Sequence, residues 1–153
     1  MTPTETEARA MREVADHALE LHGDGKDIVF TAAIVKDGEV IARARNEVAD
    51  THDPSRHAEV VAIARAAEAL GDRDLEGCTL LASCQPCEMC LAAMRWAGID
   101  RVIFGAQQAN ISDEFFRFPQ LRIEDYHAAC GGCFDYLGGV EEDRLHPVYG
   151  DGA

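Results

Sequence analysis

The 153-residue chain lacks any apolar stretch long enough to span a bilayer, which takes roughly 20 consecutive apolar residues, and it lacks a basic segment ahead of an apolar core. With neither a membrane helix nor a secretory signal in the pattern, and with the polar start Met1-Thr2-Pro3-Thr4-Glu5, a cytoplasmic setting is the expectation. Basic residues are scarce: 14 Lys and Arg stand against 28 Asp and Glu, a formal charge of −14. That balance favours solubility and repels a phosphate backbone at long range, so nucleic acid is not the expected partner. No repeat, low-complexity tract or linker divides the sequence, and its length suits one core, so residues 1–153 are read as a single domain. Six cysteines without a secretory signal point to metal or catalytic use ahead of disulfides.

What is present is an alternation of helical and strand-like patterns. Ala8, Met11, Ala15, Ala18 and Leu19 fall at helical spacing between Glu5 and Leu21, with Gly23 near the end. The apolar run Ile28 to Val35, the turn pair Asp37-Gly38 and the stretch Glu39 to Ala44 predict a hairpin. A second helix is predicted over His57 to Leu70, stopped by Gly71. Cys78 to Ser83 is a short strand, Pro86 opens a third helix to about Ala97, and Arg101 to Phe104 is a further strand. This order calls for crossover connections and parallel later strands, which predicts an α/β fold: a three-layer α/β/α sandwich around a mixed sheet. Beyond Gly105 no element can be assigned.

The chemistry-bearing residues sit at two helix starts. His57-Ala58-Glu59 opens the second helix, and Pro86-Cys87-Glu88-Met89-Cys90 opens the third. Cys87 and Cys90 share one helical turn, so both sulfurs can take corners of a tetrahedron whose third corner is His57. Helix dipoles converging there favour thiolates. Three protein ligands leave a fourth position for water, as in a catalytic zinc site, and Glu59 is then suited to carry protons. H-x-E followed by P-C-x-x-C is the zinc deaminase signature.

With Asn46, Asp53-Pro54-Ser55-Arg56-His57-Ala58-Glu59, Ser83-Cys84-Gln85-Pro86-Cys87-Glu88-Met89-Cys90, Trp96-Ala97 and Phe104-Gly105, the chain resembles the cytidine deaminase superfamily over roughly Ala8 to Gly105. It is most similar there to the guanine deaminase and tRNA adenosine deaminase branch. The resemblance implies a five-stranded sheet, a homodimer, and hydrolysis of an exocyclic amino group to a carbonyl with release of ammonia; the single assigned site sets the expectation of one Zn2+ per chain. It also implies that Asn46 hydrogen-bonds the base, that the Ala58 N–H helps hold it, and that Phe30 packs near the ring. Guanine deaminases typically read Pro-Phe-Gly at Val29-Phe30-Thr31, and Phe115-Phe116 stands where they carry Gly-Phe. These are departures from the guanine deaminase pattern; the acid excess is what favours a small nitrogen heterocycle with water as co-substrate, an aminopurine such as guanine first. Cytosine or a nucleoside and then the wobble adenosine of tRNA follow, with a zinc-stabilised binding module as the reading outside enzymes.

Other motifs have plainer readings. Cys84 could close a Cys3His knuckle with Cys87, Cys90 and His57, against the open-site reading. Cys130-Gly131-Gly132-Cys133 is read as a plain metal-free turn, with a second metal or a redox pair as the alternatives. Phe115, Phe116 and Phe118 are core or lid, and one carboxylate from Asp113 or Glu114 is expected to meet the substrate.

Overall fold

The structure, a computed structural model, describes residues 1–150. Helix α1 (Glu5–Gly23) starts at a capping box: Thr4 Oγ1 accepts the Glu7 N–H at 3.1 Å, and Glu7 Oε1 accepts the Thr4 N–H at 2.8 Å. Strands β1 (Thr31–Lys36) and β2 (Glu39–Arg45) form the hairpin, turning through Asp37 and Gly38, both at positive φ. A single turn, α2 (Val48–Thr51), leads to α3 (Ala58–Leu70), which Gly71 ends in the left-handed conformation that a residue without Cβ adopts at no steric cost. Then come β3 (Cys78–Cys84), α4 (Glu88–Trp96) and β4 (Arg101–Ala106).

The five strands lie in the order β2-β1-β3-β4-β5, with β1 antiparallel to both neighbours and β3, β4 and β5 parallel. Side chains alternate across the sheet and so divide the core into two layers. Ala32, Ile34, Leu80, Ala82, Val102 and Phe104 face Val61 and Ala62 of α3 and Leu91 and Met94 of α4. Ala33, Val35, Leu81 and Ile103 face Ala10, Met11 and Val14 of α1. The predicted sandwich is present. A bidentate pair, Arg101 Nη2 to Glu7 Oε1 at 2.7 Å and Nε to Oε2 at 2.8 Å, ties the start of β4 to α1.

The unassigned tail has structure of its own. Two 3-10 turns (Gln108–Asn110 and Asp113–Phe115) precede α5 (Ile123–Ala129), β5 (Asp135–Leu137) and α6 (Glu142–Tyr149). β5 supplies the fifth strand on the edge of β4. Helix α6 lies beside α1 over Gly105, where a Cβ would collide with Leu145 and the Ser83 carbonyl.

Three sequence expectations are corrected. β1 begins at Thr31 rather than Ile28, because Ile28 to Phe30 have no paired strand partners. Pro86 lies ahead of α4, whose N-cap is Cys87. The Cys130–Cys133 turn is disulfide-bonded, with Cα atoms 5.5 Å apart and Gly131 and Gly132 both at positive φ. Those glycines let the chain fold back within four residues.

Candidate active site

The carboxyl end of β3 is where the two motif-bearing helices begin. His57 and Cys87 are the N-cap residues of α3 and α4, each in extended backbone, and neither side chain caps its own helix. Both are thereby free to turn toward each other. His57 Nδ1 lies 3.5 Å from Cys87 Sγ and 3.5 Å from Cys90 Sγ, and the two sulfurs are 3.7 Å apart. A tetrahedral zinc with bonds of about 2.3 Å to sulfur and about 2.1 Å to nitrogen has ligand-to-ligand edges of about 3.8 and about 3.6 Å. The triangle fits that metal. Among the described residues this is the one group of three metal-ligating side chains that converges so closely. Cys84 is outside it, buried on β3, so a closed Cys3His knuckle is not formed.

Protons are shared unevenly in the cluster, with Cys87 the sulfur held as thiolate. The Cys90 thiol hydrogen bond holds the Cys87 sulfur down to about 5 against the opposing pull of burial, and His57 adds to the effect. Cys87 in turn raises His57, while Cys90, facing the Cys87 thiolate in a buried place, is pushed well up. Glu59 is 7% exposed, and burial first, then the Cys87 charge, raises its carboxyl to about 7. A carboxyl poised near neutrality both accepts and returns a proton.

Glu59 opens onto a narrow recess of about 40 Å³ lined by Phe30, His57, Cys84, Gln85, Cys87 and Phe115. The recess adjoins a larger cavity of about 900 Å³ that shares Phe30, His57, Cys87 and Phe115 and adds Asn46, Glu88, Glu114 and Tyr149. Asn46 is 8% exposed and fixed: its Oδ1 accepts the Val48 N–H at 2.9 Å, which leaves its amide NH2 for a ligand. The loop behind it is held by Glu47, which pairs with Arg56 at 2.9 Å and Arg65 at 2.8 Å. Ala58 is fully buried as the first residue of α3, and an N–H in that first turn has no acceptor within the helix.

Of the sequence-predicted residues, His57, Glu59, Cys87, Asn46, Phe30 and Glu114 border one continuous space, and Cys90, wholly buried, joins them only through the ligand triangle. Asp113 does not: it borders a separate polar cavity with Gln107, Gln108 and Arg122, because the 3-10 turn points successive side chains in different directions. The phenylalanines divide. Phe115 stands at the pocket, Phe116 is buried and Phe118 is exposed.

Sequence reasoning missed Tyr149. At the end of α6 its ring stacks on Phe30, centroids 5.3 Å apart, and its hydroxyl donates to the Val29 carbonyl at 2.9 Å beside Ser83 Oγ at 2.8 Å. Burial pushes its hydroxyl pKa upward, so it stays neutral. Phe115 completes the cage, edge-on to Phe30 at 5.2 Å. Only a C-terminal helix pattern would have given a signal, and Pro147 inside α6 hides it.

Comparison with known proteins bears on this geometry. The family model for the cytidine and deoxycytidylate deaminase zinc-binding region matches residues 4–106. The chain is 44% identical over 87 residues to the guanine deaminase of Bacillus subtilis (strain 168), covering 57% of this chain and 56% of that protein. It therefore spans little more than half the length of that relative. It is 33% identical over 157 residues to a probable cytosine deaminase of Schizosaccharomyces pombe, covering 97% of this chain and 95% of that one. A solved structure of a tRNA:A34 deaminase, from work on A-to-I editing at the wobble position of transfer RNA, superposes with a TM-score of 0.73 at 30% identity, covering 91% and 98%.

Proposed function

The chain belongs to the cytidine and deoxycytidylate deaminase family, and from that premise we propose that it is a zinc-dependent aminohydrolase of a small nitrogen heterocycle. The observation that carries the reading is the His57, Cys87 and Cys90 triangle, open on one side, with buried Glu59 at its recess. His57 Nδ1 and the two sulfurs would hold one Zn2+. When bound, zinc lowers the pKa of a coordinated water to about 7, so that a nucleophile exists at neutral pH.

The remaining work falls to side chains. Glu59 takes a proton from the attacking water and delivers it to a ring nitrogen of the substrate. It then takes the proton of the added hydroxyl and passes it to the amino group, which leaves as ammonia as the carbonyl forms and the C–N bond breaks. Phe30, Phe115 and Tyr149 supply flat apolar walls for a planar ring, and the Asn46 amide and the Ala58 N–H supply donors. The Glu114 carboxylate supplies an acceptor for amino groups. An aminopurine, guanine first, presents donors and acceptors to match, and cytosine is the nearest alternative.

The second reading, the wobble adenosine of tRNA, draws support from the likeness to the tRNA:A34 deaminase. Charge opposes it: Asp27, Glu88 and Glu114 share the pocket lining with a single cation, Arg117, in a chain of net charge −14. We further infer a homodimer, since α4 leaves Trp96 92% exposed beside the partly exposed Ala93 and Met89. Ammonia release from a panel of amino-heterocycles, with zinc content measured on the same sample, tests the reading.

A further inference from the structure

Glu88 follows Cys87 directly and borders the pocket, yet it pairs with no cation among the described residues. Its Oε1 accepts the Arg117 N–H at 2.6 Å, while Oε2 is buried without a hydrogen-bond partner. A dry, unpaired carboxylate oxygen is costly, and in a native structure it calls for an explanation.

The explanation lies in what Arg117 belongs to. Residues 113–118 bring Glu114 and Phe115 to the pocket, and Phe115 to the edge of Phe30. Their other hydrogen bonds are local. The Glu114 N–H and the Phe115 N–H go to Ser112, the Phe116 N–H goes to Asp113, and the Arg117 guanidinium and the Phe118 carbonyl pair within the segment and with Leu121. Among the described residues, the Glu88 to Arg117 bond is the one hydrogen bond that joins 113–118 to any part of the chain outside 112–121. It joins that segment to the first turn of α4, the helix that bears Cys90.

We propose that Glu88 is a latch: a positioning residue that holds segment 113–118 over the pocket and so sets substrate affinity through Phe115 and Glu114. The affinity part rests on the substrate-site reading given above. Phe116 anchors the segment in the core, and the Glu88 bond fixes the stretch that faces the pocket, where a ring against Phe115 favours the closed arrangement. The role requires an acceptor oxygen at this position, not a charge.

The test compares zinc-loaded wild type with Glu88→Ala and Glu88→Gln, the latter keeping an amide oxygen for the Arg117 N–H. Hydrogen exchange should be at least about tenfold faster at residues 113–118 in Glu88→Ala and within about threefold of wild type in Glu88→Gln. With whichever heterocycle the wild type turns over, Glu88→Ala should raise KM about tenfold with kcat within about threefold, and Glu88→Gln should restore KM. Wild-type exchange in Glu88→Ala overturns the latch, and so does a Glu88→Gln protein that behaves like Glu88→Ala, since charge would then be the cause. Glu88→Met, of similar length and without the acceptor, replaces Glu88→Ala if that variant does not fold. If no heterocycle is turned over, the exchange comparison still decides the latch while the deaminase reading fails separately.

Discussion

The ring of Tyr149 lies parallel to that of Phe30, the planes 3° apart, so the last helix of the described chain forms part of a pocket that His57 and Cys87, far earlier in the sequence, also line. Tyr149→Phe keeps the stack and removes the hydroxyl. Buried Ser83 and the Val29 carbonyl then each lose a partner, and the loss should cost about 1–3 kcal/mol in urea unfolding. An unchanged midpoint contradicts the tie between α6 and the site.

Glu59→Gln preserves shape and removes the carboxylate proposed to carry protons. Turnover should fall at least about 100-fold with zinc content unaltered. A variant within a few-fold of wild type removes Glu59 from the mechanism.

Cys87→Ala breaks the triangle at the sulfur held as a thiolate. Zinc should be lost on dialysis and the melting temperature should drop, because metal binding free energy contributes to folding. Retention of stoichiometric zinc after dialysis is the contrary result.

One zinc per chain is expected, because Cys130 and Cys133 are bonded to each other and offer no thiolate. Elemental analysis should read one for wild type and one for a Cys130→Ser, Cys133→Ser double variant. Two zinc ions in the wild type, with one lost in the double variant, contradicts the assignment.

Acid should loosen α1 from the sheet. Burial alone would raise the Glu7 carboxyl, but hydrogen bonds from Arg101 and the Thr4 N–H outweigh it and hold the pKa at about 2, below the ordinary 4.5. A depressed carboxyl stabilises fully above its unfolded pKa, and the contribution disappears as pH falls through the folded value. Wild type should exceed Glu7→Gln by about 1–2 kcal/mol at pH 7, with the gap narrowing from about pH 5 toward pH 2. A gap independent of pH removes Glu7 as its source.

The legible parts of the sequence were those where one periodicity ran long enough. α1, the hairpin, α3, β3, α4 and β4 were readable for that reason, and the convergence of His57, Cys87 and Cys90 was legible in their spacing at two helix starts. β5 has three residues between glycine-rich turns, too few to show alternation, and its place is set by pairing with β4. Tyr149 and the Glu88 to Arg117 bond depend on how distant segments meet, which no local pattern records. The choice between Asp113 and Glu114 turned on the direction of one short 3-10 turn.

The most direct test incubates zinc-loaded protein at about 50 mM salt, where phosphate attraction is strong, with free aminopurines, cytosine and their nucleosides, and in parallel with a tRNA anticodon stem-loop. Ammonia from at least one small heterocycle, abolished by Glu59→Gln, and no inosine in the stem-loop is the result our account predicts. Inosine formed in the stem-loop with no turnover of any small heterocycle would contradict it.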